Sequence, residues 1–142
     1  MIQVNRSLPR AETKAYEVYA LLGGEDGGGK TAFVALMDAF YRGVEGDPVL
    51  RSLYPEDLTE GRDNLLLFLI QFFGGPAGYA EKRGDPRLRL RHMPFAIGIA
   101  ERDAWMRHMT AALDEVPSFA PVREIVQSYF QNATNFLQNR DA

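Results

Sequence analysis

The sequence predicts an all-α chain packed around one core, and three observations carry that prediction. Apolar residues recur at three- and four-residue spacing along Phe33, Leu36, Met37, Phe40, Tyr41 and Val44, and again along Val122, Ile125, Val126, Tyr129, Phe130, Ala133, Phe136 and Leu137. That is the stripe of a helix facing a core. No stretch shows the apolar and polar alternation of a half-buried strand. The chain has 142 residues, 46% of them hydrophobic, enough for a single sizeable core and too few for a second domain.

Taken in order, residues 1–10 carry no periodic pattern and end near Pro9, so they read as an N-terminal extension to a single domain over 11–142. From Ala11 the spacing Ala15, Val18, Tyr19, Leu22 predicts a helix that Gly23 and Gly24 end. A glycine-rich break runs to Gly29, and the helix carrying Phe33 to Val44 follows, closed by Gly43 and Gly46. Asp47 before Pro48 starts a short helix, because an acceptor side chain caps the first turn and proline there gives up an N–H that has no partner anyway. A helix from about Thr59 carries Leu65, Leu66, Phe68, Leu69, Phe72 and Phe73, apolar around so much of its circumference that it is expected to lie inside the molecule. Gly74-Gly75-Pro76 stops it. Residues 77–86 read as an irregular crossing segment. Trp105, Met109, Ala112, Leu113 and Val116 mark the next helix, which Pro117 ends, and the last is expected from about Ser118.

Composition narrows the function. A net charge of -3 and a pI near 5.4 argue against nucleic acid or an anionic membrane surface as partner, since both select a cationic excess. There is no cysteine, hence no disulfide framework, thiolate metal site or thiol nucleophile. The longest apolar run, Leu65 to Phe73 with Gln71 inside it, falls far short of the roughly 20 residues needed to cross a bilayer. With no apolar signal-peptide core at the N-terminus, a soluble, cytoplasmic protein is expected.

Residues Gly24 to Thr31 match the phosphate-binding pattern G-x-x-x-x-G-K-[ST], in which backbone N–H groups and Lys30 would cradle a nucleotide. That loop requires a buried strand before its glycines, whereas a helical pattern containing Glu12, Lys14 and Glu17 precedes them. A glycine hinge between two helices is the better reading, with a nucleotide-binding protein as the alternative. A third reading is a helical interaction domain with no cofactor.

The stretch Arg87 to Met109 carries most of the chemistry. Arg87, Leu88, Arg89, Leu90 and Arg91 lead to His92, one of two histidines in the chain, and Pro94 stops the element because it has no N–H to continue a helix. Phe95 and Ile97 follow at once, then Trp105 and Met109. An imidazole followed so closely by large apolar groups is a way to hold a flat hydrophobic cofactor. His108 lies off the stripe of its own helix and reads as a surface or packing histidine.

The run RLRLRHMPF followed by ERDAW, with FYRGV and LYPED upstream and FFGGP between, resembles the truncated haemoglobins, in particular their second group. The resemblance spans Phe40 to Met109, about half of the chain, with the motifs in the family's order. It implies a globin-like fold, a truncated 2-on-2 helical sandwich around haem b, with His92 as the proximal iron ligand. Arg91, with Tyr79 and Arg83 as weaker candidates, would hold the haem propionates, since arginine pairs its donors with carboxylates. Phe95, Phe68, Leu65, Leu69, Ile97 and Met109 would wall the pocket. On the opposite side the resemblance carries over Tyr41, Tyr54 and Trp105 as donors to a bound ligand, while alignment back from FFGGP puts Gly61 where other globins have a distal histidine and Leu65 one turn on. The implied ligands are dioxygen, carbon monoxide and nitric oxide, held with slow release. Chemistry on them, such as oxidation of nitric oxide or reduction of peroxide, would need a separate reductase, because no flavin or nicotinamide motif is present. A homo-oligomer is compatible with this reading.

Overall fold

The apolar stripes become helices in the computed structural model, which describes residues 13–142. In chain order these are α1 (Val18–Leu21), α2 (Gly24–Gly27), α3 (Gly29–Glu45), α4 (Pro48–Arg51), α5 (Thr59–Phe72), α6 (Gly78–Arg83), α7 (Leu88–His92), α8 (Ile99–Glu115) and α9 (Arg123–Leu137), with no strand among the described residues. The long helices α3 and α5 form one layer and α8 and α9 the other, and α3 lies along α8. Between the layers Phe33, Phe40, Phe73, Phe119 and Phe130 are fully buried. The Phe33 ring stands edge-on to Phe119 at 5.2 Å and stacks with Phe73 at 5.8 Å. The architecture is the truncated 2-on-2 helical sandwich. No helix among the described residues is long and apolar enough to cross a membrane. The extension over residues 1–10 lies outside the described residues.

Several element boundaries differ from the sequence expectation, each for a local reason. The first helix is a short 3-10 turn, Ala15–Glu17, leading into α1, with the Lys14 N–H donating to the Glu17 carboxylate at 2.8 Å. The glycine break is itself one helical turn, α2, and the hinges are Gly23 and Gly28 on either side of it, at φ +116° and +104°. A turn of helix with no strand before it removes the nucleotide-binding alternative. Gly43 does not close α3 but lies inside it. A Cβ there would meet His108 Nδ1 at 2.4 Å, so the glycine lets α8 approach.

Residues 78–83 are helical rather than irregular because Gln71 of α5 accepts the Ala80 N–H at 2.8 Å. That capping bond comes from nine residues away and has no local signature. The last helix begins at Arg123, preceded by a 3-10 segment, Pro117–Val122, that contains Pro121. Finally, α5 is not enclosed along its whole length. Glu60, Gly61 and Asp63 face solvent, Leu65 to Leu67 are half-buried, and only Phe68, Leu69 and Ile70 are buried within the helix, followed by Phe73 just past its end.

Asp47 does more than its sequence position implied. Its Oδ1 accepts the Val49 N–H at 2.9 Å, capping α4 behind Pro48, and its Oδ2 takes His108 Nε2 at 2.7 Å and Arg107 Nη2 at 3.1 Å from α8. Hydrogen bonding to His108, then to the Val49 N–H, holds its carboxyl below the usual carboxylate range. A carboxyl with a lowered native pKa stabilises the fold fully above its ordinary range, and that stabilisation is lost as pH falls through the native value. Asp47→Asn keeps an acceptor for the cap but removes the charge, so it should lower Tm at neutral pH by an amount that shrinks on acidification. Thermal melts across an acid pH series check this, and a constant difference would show that the charge plays no part.

Candidate functional site

His92 is the last residue of α7, and its Nδ1 lies 2.6 Å from the Leu88 carbonyl oxygen one turn back. A carbonyl only accepts, so this contact puts the ring proton on Nδ1 and leaves the Nε2 lone pair for a metal. It also fixes the plane of the ring, as a metal-ligating imidazole requires. Next to His92 lie Leu90, Met93 and Phe95, exposed at 59%, 62% and 41%. An imidazole held in one orientation beside an open apolar surface fits what an iron porphyrin needs from its protein ligand.

The other expected cofactor contacts divide into two groups. Phe95 and Ile97 follow His92 in the loop, with Phe95 open and Ile97 half-buried. Leu69 and Met109 are buried in the core, and Phe68 is buried edge-on to Tyr79 at 5.4 Å. Tyr79 is therefore a packed core tyrosine. Arg91 turns back toward the chain. Its Nε donates to the Pro86 carbonyl at 2.8 Å and its Nη2 to those of Arg83 and Asp85 at 3.3 and 3.5 Å. These bonds staple the loop that enters α7 and leave Nη1 as the nitrogen directed elsewhere. Arg83 itself is exposed.

The second side of the site is assembled from three elements. Tyr41 comes from α3, Tyr54 from the loop after α4, and Trp105 from α8. The Tyr41 and Tyr54 rings meet edge-on at 6.0 Å, and the Trp105 ring lies against Phe40 at 4.8 Å and Phe130 at 5.4 Å. Burial pushes the Tyr54 phenol up to about 12, with the neighbouring Trp105 indole pulling the other way. Burial first, and then Tyr54, push Tyr41 still higher, against the pull of Arg62. Both phenols thus stay protonated and able to donate. Gly61 faces this group, since a Cβ there would lie 3.9 Å from the Tyr41 hydroxyl. Leu65 sits one turn on, half-buried against the core.

Two supporting arginines had no motif to announce them. The Arg51 guanidinium donates to the carbonyls of Tyr54, Pro55 and Glu56 at 3.3, 2.9 and 2.7 Å, holding the loop that presents Tyr54. Arg62 pairs with Asp38 and lines, with Tyr41, an open cleft of about 540 Å3. Side-chain bonds to loop carbonyls leave no periodic trace in a sequence. His108 proves to be a packing histidine, as its place off the helix stripe suggested.

The family profile of the bacterial-like globins matches residues 18–139. The chain belongs to the truncated haemoglobins, group II. It is 40% identical to the group 2 truncated hemoglobin YjbI of Bacillus subtilis over 112 residues, 79% of this chain and 85% of that protein. Among solved structures, the haemoglobin of Chloroflexus aurantiacus superposes with a TM-score of 0.80 at 47% identity, covering 87% of this chain and 98% of that one. The thermostable haemoglobin of Thermobifida fusca does so with 0.79 at 42%, covering 86% and 96%. The globin is accordingly a haem protein that binds diatomic gas, and the match runs well beyond the half of the chain in which the motifs lie.

His92→Ala should leave haem labile or unbound while the helices persist. The Soret absorbance retained after gel filtration, beside the far-ultraviolet circular dichroism, tests this, and stable haem in that variant would remove His92 as ligand.

Proposed function

We propose that this globin retains dioxygen and related diatomic ligands with slow release, through His92 on one side and the Tyr41, Tyr54 and Trp105 donors on the other. The single observation that carries the reading is the pair of Tyr41 and Tyr54, whose rings meet edge-on at 6.0 Å where Gly61 faces the Tyr41 hydroxyl with no side chain. Haem, when bound, would supply a ferrous iron that His92 would ligate and that could take up the gas. The chain's own residues do the remainder. Tyr41 and Tyr54 supply neutral O–H groups, and Gly61 keeps the space beside the Tyr41 hydroxyl clear of a side chain. The Bacillus subtilis relative of solved structure, 34% identical, is described as oxygen-avid, which supports the reading.

Slow release makes a poor delivery carrier and favours chemistry on the held ligand, nitric oxide oxidation or peroxide reduction, with electrons from a separate reductase. Assembly as a homo-oligomer, a cytoplasmic location and Arg91 Nη1 as a donor to a propionate belong to the same proposal.

The first test is an ultraviolet-visible spectrum of the protein oxidised, reduced and exposed to carbon monoxide, in which a Soret band that shifts with carbon monoxide is expected. Hydrogen bonds to partly charged acceptors contribute about 1.5–3 kcal/mol, so Trp105→Phe should speed oxygen release by roughly ten- to a hundredfold. Unchanged release in stopped-flow measurements would reduce Trp105 to a packing residue. Because burial raises both phenols, release should stay flat from neutrality past the ordinary phenol pKa of about 10 and accelerate only as Tyr54 ionises near 12. A rise centred on the ordinary value would show that these phenols are not the donors.

A further inference from the structure

The helix that carries His92 is short and has no buried residue, so packing alone does not explain why the imidazole holds one direction. Its entry is stapled by Arg91. Its exit is held by a segment from the far end of the chain. The Asn139 carboxamide accepts the Ile97 N–H at 2.9 Å and donates to the carbonyls of Phe95 at 2.8 Å and His92 at 3.4 Å. The Asn139 and Arg140 N–H groups both donate to the Ile97 carbonyl, at 2.8 and 3.1 Å. The anchoring segment is tied down in turn, with Arg102 Nη1 donating to Gln138 Oε1 at 2.8 Å.

We propose that Asn139 is a positioning residue for the proximal histidine. Its side chain and backbone hold the carbonyl that ends α7 and both edges of the loop that follows, so the His92 ring cannot swing about the end of its helix. Asparagine suits the task because it offers a donor and an acceptor on one short arm. Aspartate would keep the bond to Ile97 but set a carboxylate against two carbonyls, and alanine would lose all three side-chain bonds. The inference rests on His92 as the axial ligand.

The test compares Asn139→Ala and Asn139→Asp with the parent, all as haem-loaded full chains, with His92→Ala as control. The readouts are the iron–histidine stretching band in the resonance Raman spectrum of the reduced protein, the rate of haemin transfer to a competing apoglobin, and amide exchange at Ile97. Losing two or three ordinary hydrogen bonds should raise haemin transfer and Ile97 exchange roughly tenfold or more, with a shifted or broadened stretching band. Asn139→Asp should be disturbed as well, because both of its carbonyl contacts turn repulsive. A lowered melting temperature with an unmoved stretching band would make Asn139 structural only and overturn the proposal. If His92→Ala keeps the parent's stretching band, the assignment of the ligand itself falls. If only the Asn139 variants are silent, the clamp alone falls.

Discussion

The contact between His92 Nδ1 and the Leu88 carbonyl is the constraint on which the proposed ligating side of the molecule depends. A neutral histidine ring carries one proton on either of two nitrogens, and a backbone acceptor one helical turn away selects Nδ1 with no further side chain. This works only if α7 is a true helical turn at that point. Five residues have little intrinsic tendency to form one. The turn is therefore held from outside, by Arg91 on the carbonyls of Arg83, Asp85 and Pro86 and by Asn139 beyond the histidine. Polar staples at both ends do for α7 what apolar burial does for α3 and α9.

The aromatic group proposed to face the ligand follows a different rule. Tyr41, Tyr54 and Trp105 are positioned by the aromatic core, with Phe40 and Phe130 against the indole and the two phenols edge-on to each other. The burial that comes with this packing pushes up both phenols, so they stay neutral. Glycines mark where this packing is closest. Gly43 admits His108, and Gly61 leaves the Tyr41 hydroxyl uncovered.

The Asp47 cluster joins the two layers near the start of α4. One carboxylate caps that helix and receives a histidine and an arginine from α8. Its position before Pro48 announced the cap in the sequence, because capping is local. Its partners in α8 stand some 60 residues on and could not be read, since a side chain's polar partners depend on where the chain returns.

What the sequence determined by itself was whatever repeats or sits within a few residues: helical periodicity in α3 and α9, the stop at FFGGP, the cap at Asp47, and the family, read through the resemblance that the motifs from FYRGV to ERDAW carry. Tertiary structure alone decided the helical state of residues 78–83, which rests on Gln71, the place of Gly43 within α3, the turn of Arg91 back to its own loop, and the arrival of Asn139 at the loop after α7. The physical reason is common to all four. Each depends on a donor, an acceptor or a close approach from a distant part of the chain, and only the folded backbone brings those groups together.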